Sequence, residues 1–179
     1  GNARHESAAI VSRIAPCFLR FGSFEICSKK GGPSYSSDEQ KVKSLLKPLL
    51  DYVIEYHYNH IWQQYQQNSI SEAEMYELWW RELVDKTVRL AVKWQSVGFV
   101  HGVLNTDNMS IIGLTLDYGP FGFMEYFYDE FVPNYSDQSG RYSYKQQPEM
   151  LLWNLEQLAV SLDEARLLDH SVTKQWITK

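Results

Sequence analysis

The chain has only two cysteines in 179 residues, Cys17 and Cys27. Two thiols build neither a disulfide framework nor a four-ligand zinc site, so both read as small buried apolar side chains. No run of Lys or Arg occurs, and 17 basic residues against 22 acidic ones leave a formal charge of −5. Such a surface repels polyanions, so nucleic acid is not an expected partner. No stretch comes near the ~20 consecutive apolar residues that a membrane helix needs, and no membrane partner is expected. The opening "GNARHESAAIVSR" has no apolar centre of a signal peptide, and it begins with Gly rather than Met. It reads as the start of a piece of a longer protein.

What the chain does have is apolar bulk. Residues of that class make up 44%, and aromatics alone 15%, enough for one globular core packed largely by flat rings. Along the chain, "AAIVSRI" suits a buried strand and "FLRFGSFEI" alternates as an extended segment, giving an expected strand region over 1–27. "SKKGGPSYSSDE" is a surface loop ending at Ser37 or Asp38 as a helix N-cap. Helices are expected over 37–98. The first should stop near Leu46, and Pro48 should open the second, since proline suits a first helical turn better than an interior. For the third, Ser71 and Glu74 form a capping box. Met75, Trp79, Leu83, Leu90, Trp94 and Val97 then recur at helical spacing until Gly98, which makes them core positions.

After Gly98 the period shortens. "FVH", "MSIIG" and "LTLD" read as brief strands within 99–124. Residues 125–179 begin Tyr-rich and irregular, enter a helix at Pro148 that runs to about Leu162, and finish in a last helix with a frayed end. The expected fold class is α+β, mainly helical.

Chemistry concentrates in "HGVLNTDNMSIIGLTLDYG", residues 101–119. A hard cation such as Mg²⁺ prefers carboxylate, amide carbonyl and water oxygens. Asn108 and Asp117 flank the expected hairpin "MSIIGLTL", which could carry both side chains to one end of a small sheet. The competing reading of "NTDN" is a plain turn, because Asn and Asp bond to nearby backbone. His101 reads as a structural histidine. The order of loop, hairpin and Asp-x-Gly is that of a kinase active site, but Val103 stands where a kinase keeps its aspartate. A general base must then come from elsewhere. Asp107 is the nearest carboxylate in sequence; a second metal contact or a loop cap is its alternative role.

With these residues in view, the chain resembles the selenoprotein O family. "WQSVGFVHGVLNTDNMSIIGLTLDYGPFGFM" carries the signature, and "RIAPCFLRFGSFE", "SDQSGRYSYKQQP" and "WNLEQLA" follow the family's order. The resemblance spans the chain except the loop near 28–37, the polar stretch around 63–75 and roughly the last dozen residues. It implies a kinase-like C-lobe whose short β-hairpins carry the metal-binding residues, taken from a longer chain with an N-lobe. It implies a protein adenylyltransferase that binds ATP inverted and moves AMP onto Ser, Thr or Tyr hydroxyls of proteins, releasing pyrophosphate. By motif position, Asn108 and Asp117 would bind Mg²⁺, or Mn²⁺ as an alternative, and with it ATP. Asp107 would be the catalytic base, and Arg13 and Arg20 would hold the phosphates. Eukaryotic relatives imply a mitochondrial location, others a cytoplasmic one. Two departures matter: Pro133 replaces a cysteine common among relatives, and the family's C-terminal selenocysteine or cysteine motif is missing. By itself the segment is expected to be inactive, since a nucleotide clamped from one side lacks opposing cations and shielding from water. The alternatives are an ordinary phosphotransferase, against which Val103 counts, and a catalytically silent scaffold.

Overall fold

The structure, a computed structural model, describes residues 9, 10, 12–27 and 39–177. The expected N-cap at Ser37 or Asp38 lies outside these residues, as does the side chain of Cys27. Five α-helices are described: α1 (Glu39–His57), α2 (Asn59–Gln66), α3 (Glu72–Ser96), α4 (Gln147–Glu164) and α5 (His170–Ile177). A two-stranded antiparallel sheet joins β1 (Phe99–Val100) to β2 (Gly122–Phe123), with Phe99 opposite Phe123. The fold is thus mainly helical, and no described helix is long and apolar enough to cross a membrane.

The core forms where helical spacing stacks large side chains. Met75, Tyr76, Trp79, Trp80 and Leu83 of α3 are all essentially inaccessible. They meet Leu46, Leu50 and Ile54 of α1 and Leu155, Leu158 and Leu162 of α4 in one cluster. The α3 start is as expected: Ser71 Oγ accepts from Glu74 N, and the Glu74 carboxylate accepts from Ser71 N at 2.7 Å. At its end Gly98 takes φ 66°, a left-handed value that costs glycine no Cβ clash. Val97, counted with the apolar stripe, is 60% exposed.

Three expectations are corrected. First, α1 does not stop at Leu46; it runs through Pro48. Val42, Leu46, Leu50, Val53 and Ile54 carry one buried stripe across the proline. Pro48 and Ser44 are exposed, so water can serve the Ser44 carbonyl that proline leaves without an N–H. The break falls instead at Tyr58, which is buried with its hydroxyl donating to Ile111 O at 2.8 Å.

Second, the strand region over 1–27 contains no strand among its described residues, and Phe21–Cys27 is a 3₁₀ helix. Phe21 and Phe24 are both fully buried. A period of three puts them on one side, where a strand would have faced them oppositely. Third, "MSIIG" and "LTLD" form no ladder; a single bridge, Met109 to Thr115, closes the turn. Pairing goes elsewhere: Arg20 bridges Ser110, Phe21 N donates to Met109 O at 3.0 Å, and Ile111 N donates to Leu19 O at 3.1 Å. Met109 to Ile111 thus spends its backbone groups on the arginine-bearing segment, and the sheet carries neither Asn108 nor Asp117.

Candidate active site

His101 organises the loop. It is fully buried, and its ring lies 5.8 Å from that of Trp94. Its Nε2 lies 2.6 Å from Leu116 O. A carbonyl only accepts, so the proton sits on Nε2, and Nδ1 is left to accept from Val103 N at 3.4 Å. Asn108 Nδ2 donates to Val103 O at 2.7 Å. Three hydrogen bonds therefore run from Asn108 through Val103 and His101 to the residue before Asp117.

Burial pushes the His101 pKa below its ordinary value, against the opposing pull of Leu116 O and the Asp117 charge. Below about pH 6.5 the unfolded chain therefore takes up a proton that the folded chain refuses, and stability falls as pH falls. We expect the urea midpoint to drop between about pH 7.5 and about pH 5.5, and to drop less in His101→Gln, which keeps a donor for Leu116 O. Equal drops in both proteins would assign the titration to other groups. His57 is one such group, also lowered by burial and by Lys86.

Three amide side chains fix the loop from outside. Gln147 accepts from His101 N at 2.9 Å and donates to Phe99 O at 2.8 Å. Asn154 donates to Leu104 O at 3.0 Å, and Asn134 to Gly102 O at 3.0 Å. Gly102 has φ 80°, and a Cβ there would lie 2.5 Å from Pro120 O, so the loop packs too closely for any side chain at that position.

Each candidate residue has a definite place. Arg13, Arg20 and Asp117 line one cleft of about 650 Å³ with Phe18, Leu116 and Tyr118. The Arg13 guanidinium donates to Thr115 O and lies 4.6 Å from the centre of the Tyr118 ring. Arg20 Nε is buried with no hydrogen-bond partner among the described residues. Such a donor suits an anion. Asp117 is exposed and takes φ 54°, a left-handed value tolerated best by Gly, Asn and Asp. Asn108 is 5% exposed, and with Nδ2 committed to Val103, its Oδ1 is the atom left for a cation.

Among the described residues no three His, Cys, Asp or Glu side chains gather as a metal site. Asp117 lines the cleft and Asn108 does not; one amide oxygen and one carboxylate would suit Mg²⁺ only with phosphate and water completing its shell.

Asp107 is exposed on the 3₁₀ turn Thr106–Asn108. Its backbone N donates to Asn105 Oδ1 at 3.1 Å, so Asn105, not Asp107, caps this turn. A Cβ on Gly22 would stand 2.3 Å from Asp107 Oδ1. The carboxylate thus rests against bare backbone just after Arg20. Gly22→Ala should push Asp107 aside at a stability cost below about 1 kcal/mol, since the far end of an exposed side chain can move. If Asp107 is the base, kcat should fall roughly tenfold to a hundredfold, the scale of an ångström-sized misplacement. An unchanged kcat would detach Asp107 from the chemistry.

Gly22, Asn134, Gln147 and Asn154 were not singled out by sequence. For Asn154 a signal existed, a lone amide between Leu151 and Leu158 on the buried stripe of α4. A second groove of about 470 Å³ between α3, α4 and α5 is lined by Val88, Val92, Leu152 and Trp176, among others, but by no charged side chain. It contains none of the candidates.

Comparison with known proteins shows the family to which the chain belongs. The family model for protein adenylyltransferase SelO matches residues 2–175. A zebrafish (Danio rerio) protein, mitochondrial protein adenylyltransferase SelO-1, is 49% identical over 169 residues, covering 91% of this chain and 23% of its own. The mouse (Mus musculus) mitochondrial protein adenylyltransferase SelO is 44% identical over 169 residues, 91% of this chain and 24% of its own. A Klebsiella pneumoniae protein nucleotidyltransferase, YdiU, is 46% identical over 159 residues, 89% of this chain and 29% of its own. The chain spans about a quarter of the length of these curated relatives.

Proposed function

Because this chain belongs to the protein adenylyltransferase SelO family, we propose that it contributes a kinase-like C-lobe to an enzyme that transfers AMP from ATP to protein hydroxyls. The observation that carries this reading is the cleft where Arg13, Arg20 and Asp117 converge. Two guanidinium groups bind and orient phosphate oxygens, while the carboxylate opposite requires a cation between itself and the nucleotide.

In the proposed reaction an acceptor hydroxyl oxygen bonds to the α-phosphorus. The bond from that phosphorus to the bridging oxygen breaks, and pyrophosphate leaves with the electron pair. The hydroxyl proton passes to the Asp107 carboxylate, the role that Val103 cannot fill. Arg13 and Arg20 hold the phosphates. Asn108 Oδ1 and Asp117 would hold Mg²⁺, or Mn²⁺ in its place, which when bound offsets the charge growing on the leaving group. His101 keeps the two ligand-bearing stretches in register. We place the protein in the mitochondrion of a eukaryotic host, after the names of its zebrafish and mouse relatives, and in the cytoplasm of a bacterial one.

The test uses a chimaera in which residues 9–177 replace the matching segment of the zebrafish relative. It is incubated with an acceptor protein and ATP labelled at either the α or the γ phosphate. Label transfer from the α position only is expected. Transfer from the γ position only would make the protein a phosphotransferase, and no ATP binding by calorimetry would make it a scaffold. The isolated 179 residues should transfer little or no label.

A further inference from the structure

We propose that the exposed strip following Asp117 docks the acceptor polypeptide and selects Lys or Arg beside the hydroxyl to be modified. This rests on the adenylyl-transfer reading, because it names the substrate class of that same site.

Residues 117–140 hold five acidic side chains and no Lys or Arg. Two of the acids are spent internally. Asp137 accepts from Arg141 N, Tyr142 N and Ser139 Oγ, and Glu130 pairs with Lys145. The carboxylates of Glu125 and Asp129 are exposed, with neither hydrogen bond nor ion pair among the described residues. Between them stand Tyr126 at 76%, Phe127 at 76% and Tyr128 at 50% exposure.

Three consecutive exposed rings form an apolar patch in the middle of an acidic stretch. The contrast lies within the strip itself. Tyr118, Phe121 and Phe123 each pack against Phe99 at ring distances of 6.3, 5.8 and 5.4 Å. Phe127 has only an edge contact with Tyr144 at 6.1 Å. One end of the strip is therefore anchored at the cleft through Tyr118, and the other presents ring faces between the carboxylates of Glu125 and Asp129, the latter also feeling the charge of Lys145, which pairs with Glu130.

Ring faces and carboxylates attract the same ligand chemistry. An ammonium or guanidinium group gains from the ring quadrupole and from the ion pair, and its aliphatic stem covers the rings. Charge complementarity thus points to a cationic peptide segment. Nucleic acid and anionic membranes carry the wrong sign, and a second copy of a chain of charge −5 brings no excess of cations.

Binding can be read without any transfer reaction. Fluorescently tagged peptides with one serine flanked by Lys and Arg, or by Glu in the same positions, are titrated with the chain, and anisotropy is followed at about 50 and about 300 mM salt. The basic peptide should bind about tenfold more tightly at low salt, with the margin shrinking at high salt. Glu125→Lys with Asp129→Lys should reverse the preference, and Tyr126→Ala with Phe127→Ala should weaken both peptides. All four side chains are exposed, so far-UV circular dichroism melts should match the parent.

Equal affinity for the two peptides would overturn the proposal, as would a preference that survives charge reversal. So would concentration-dependent self-association that blocks peptide binding. Any of these would remove the docking strip and leave adenylyl transfer to the α-label experiment, which can fail or succeed independently.

Discussion

Asp117→Asn in the chimaera is expected to lower AMP transfer by about two to three orders of magnitude, the usual scale for removing one electrostatic stabiliser of a developing charge. Asparagine is the informative replacement because residue 117 has φ 54°, and Asn tolerates that region nearly as well as Asp. The substitution removes a charge without straining the backbone. Asp117→Ala removes the same charge but adds roughly 1–2 kcal/mol of left-handed strain, so the two variants should match in activity and differ in urea midpoint. Activity of Asp117→Asn within about threefold of the parent, at saturating ATP and metal, would take residue 117 out of the chemistry and the cleft out of the proposal.

Gln147→Leu should cost more stability than any surface change in the molecule. Its side-chain amide satisfies Phe99 O and His101 N at once, and Phe99, His101 and Gln147 are all buried. Leucine is of similar size but leaves one acceptor and one donor unpaired, at about 1–3 kcal/mol each. Against a total stability of about 5–15 kcal/mol for an ordinary domain, that loss is severe. Urea denaturation measures it, and a change below about 1 kcal/mol would mean that water replaces the amide. Because His101 leads on to Leu116, the same variant should also lower AMP transfer in the chimaera.

These two residues mark what could and could not be read from the sequence. Asp117 was legible because its chemistry lies in residue type and order. Gln147 was not, because a glutamine before a proline at a helix start looks like any polar surface residue until the packing of α4 against the loop is known. The same division holds for the fold. The α3 boundaries were legible in Ser71, Glu74 and Gly98, where local hydrogen bonding and φ decide the outcome. The course of α1 through Pro48 and the 3₁₀ turn at Phe21–Cys27 were not. In both, burial of side chains against distant helices overrode the local preference of proline and of alternating residues. The gathering of Arg13 and Arg20 at Asp117 followed from the resemblance; no pattern in the residues pointed to it.

The bridge between Arg20 and Ser110 has a consequence for how the cleft tolerates change. What aims Arg20 is a backbone bridge to a segment distant in sequence, not the length of polypeptide separating it from Ser110. Lengthening the turn at 67–70 between α2 and α3 should therefore leave the cleft untouched. Slipping the short run 19–21 by a single residue would swing the Arg20 guanidinium to the far side and bring an apolar neighbour to face the cleft.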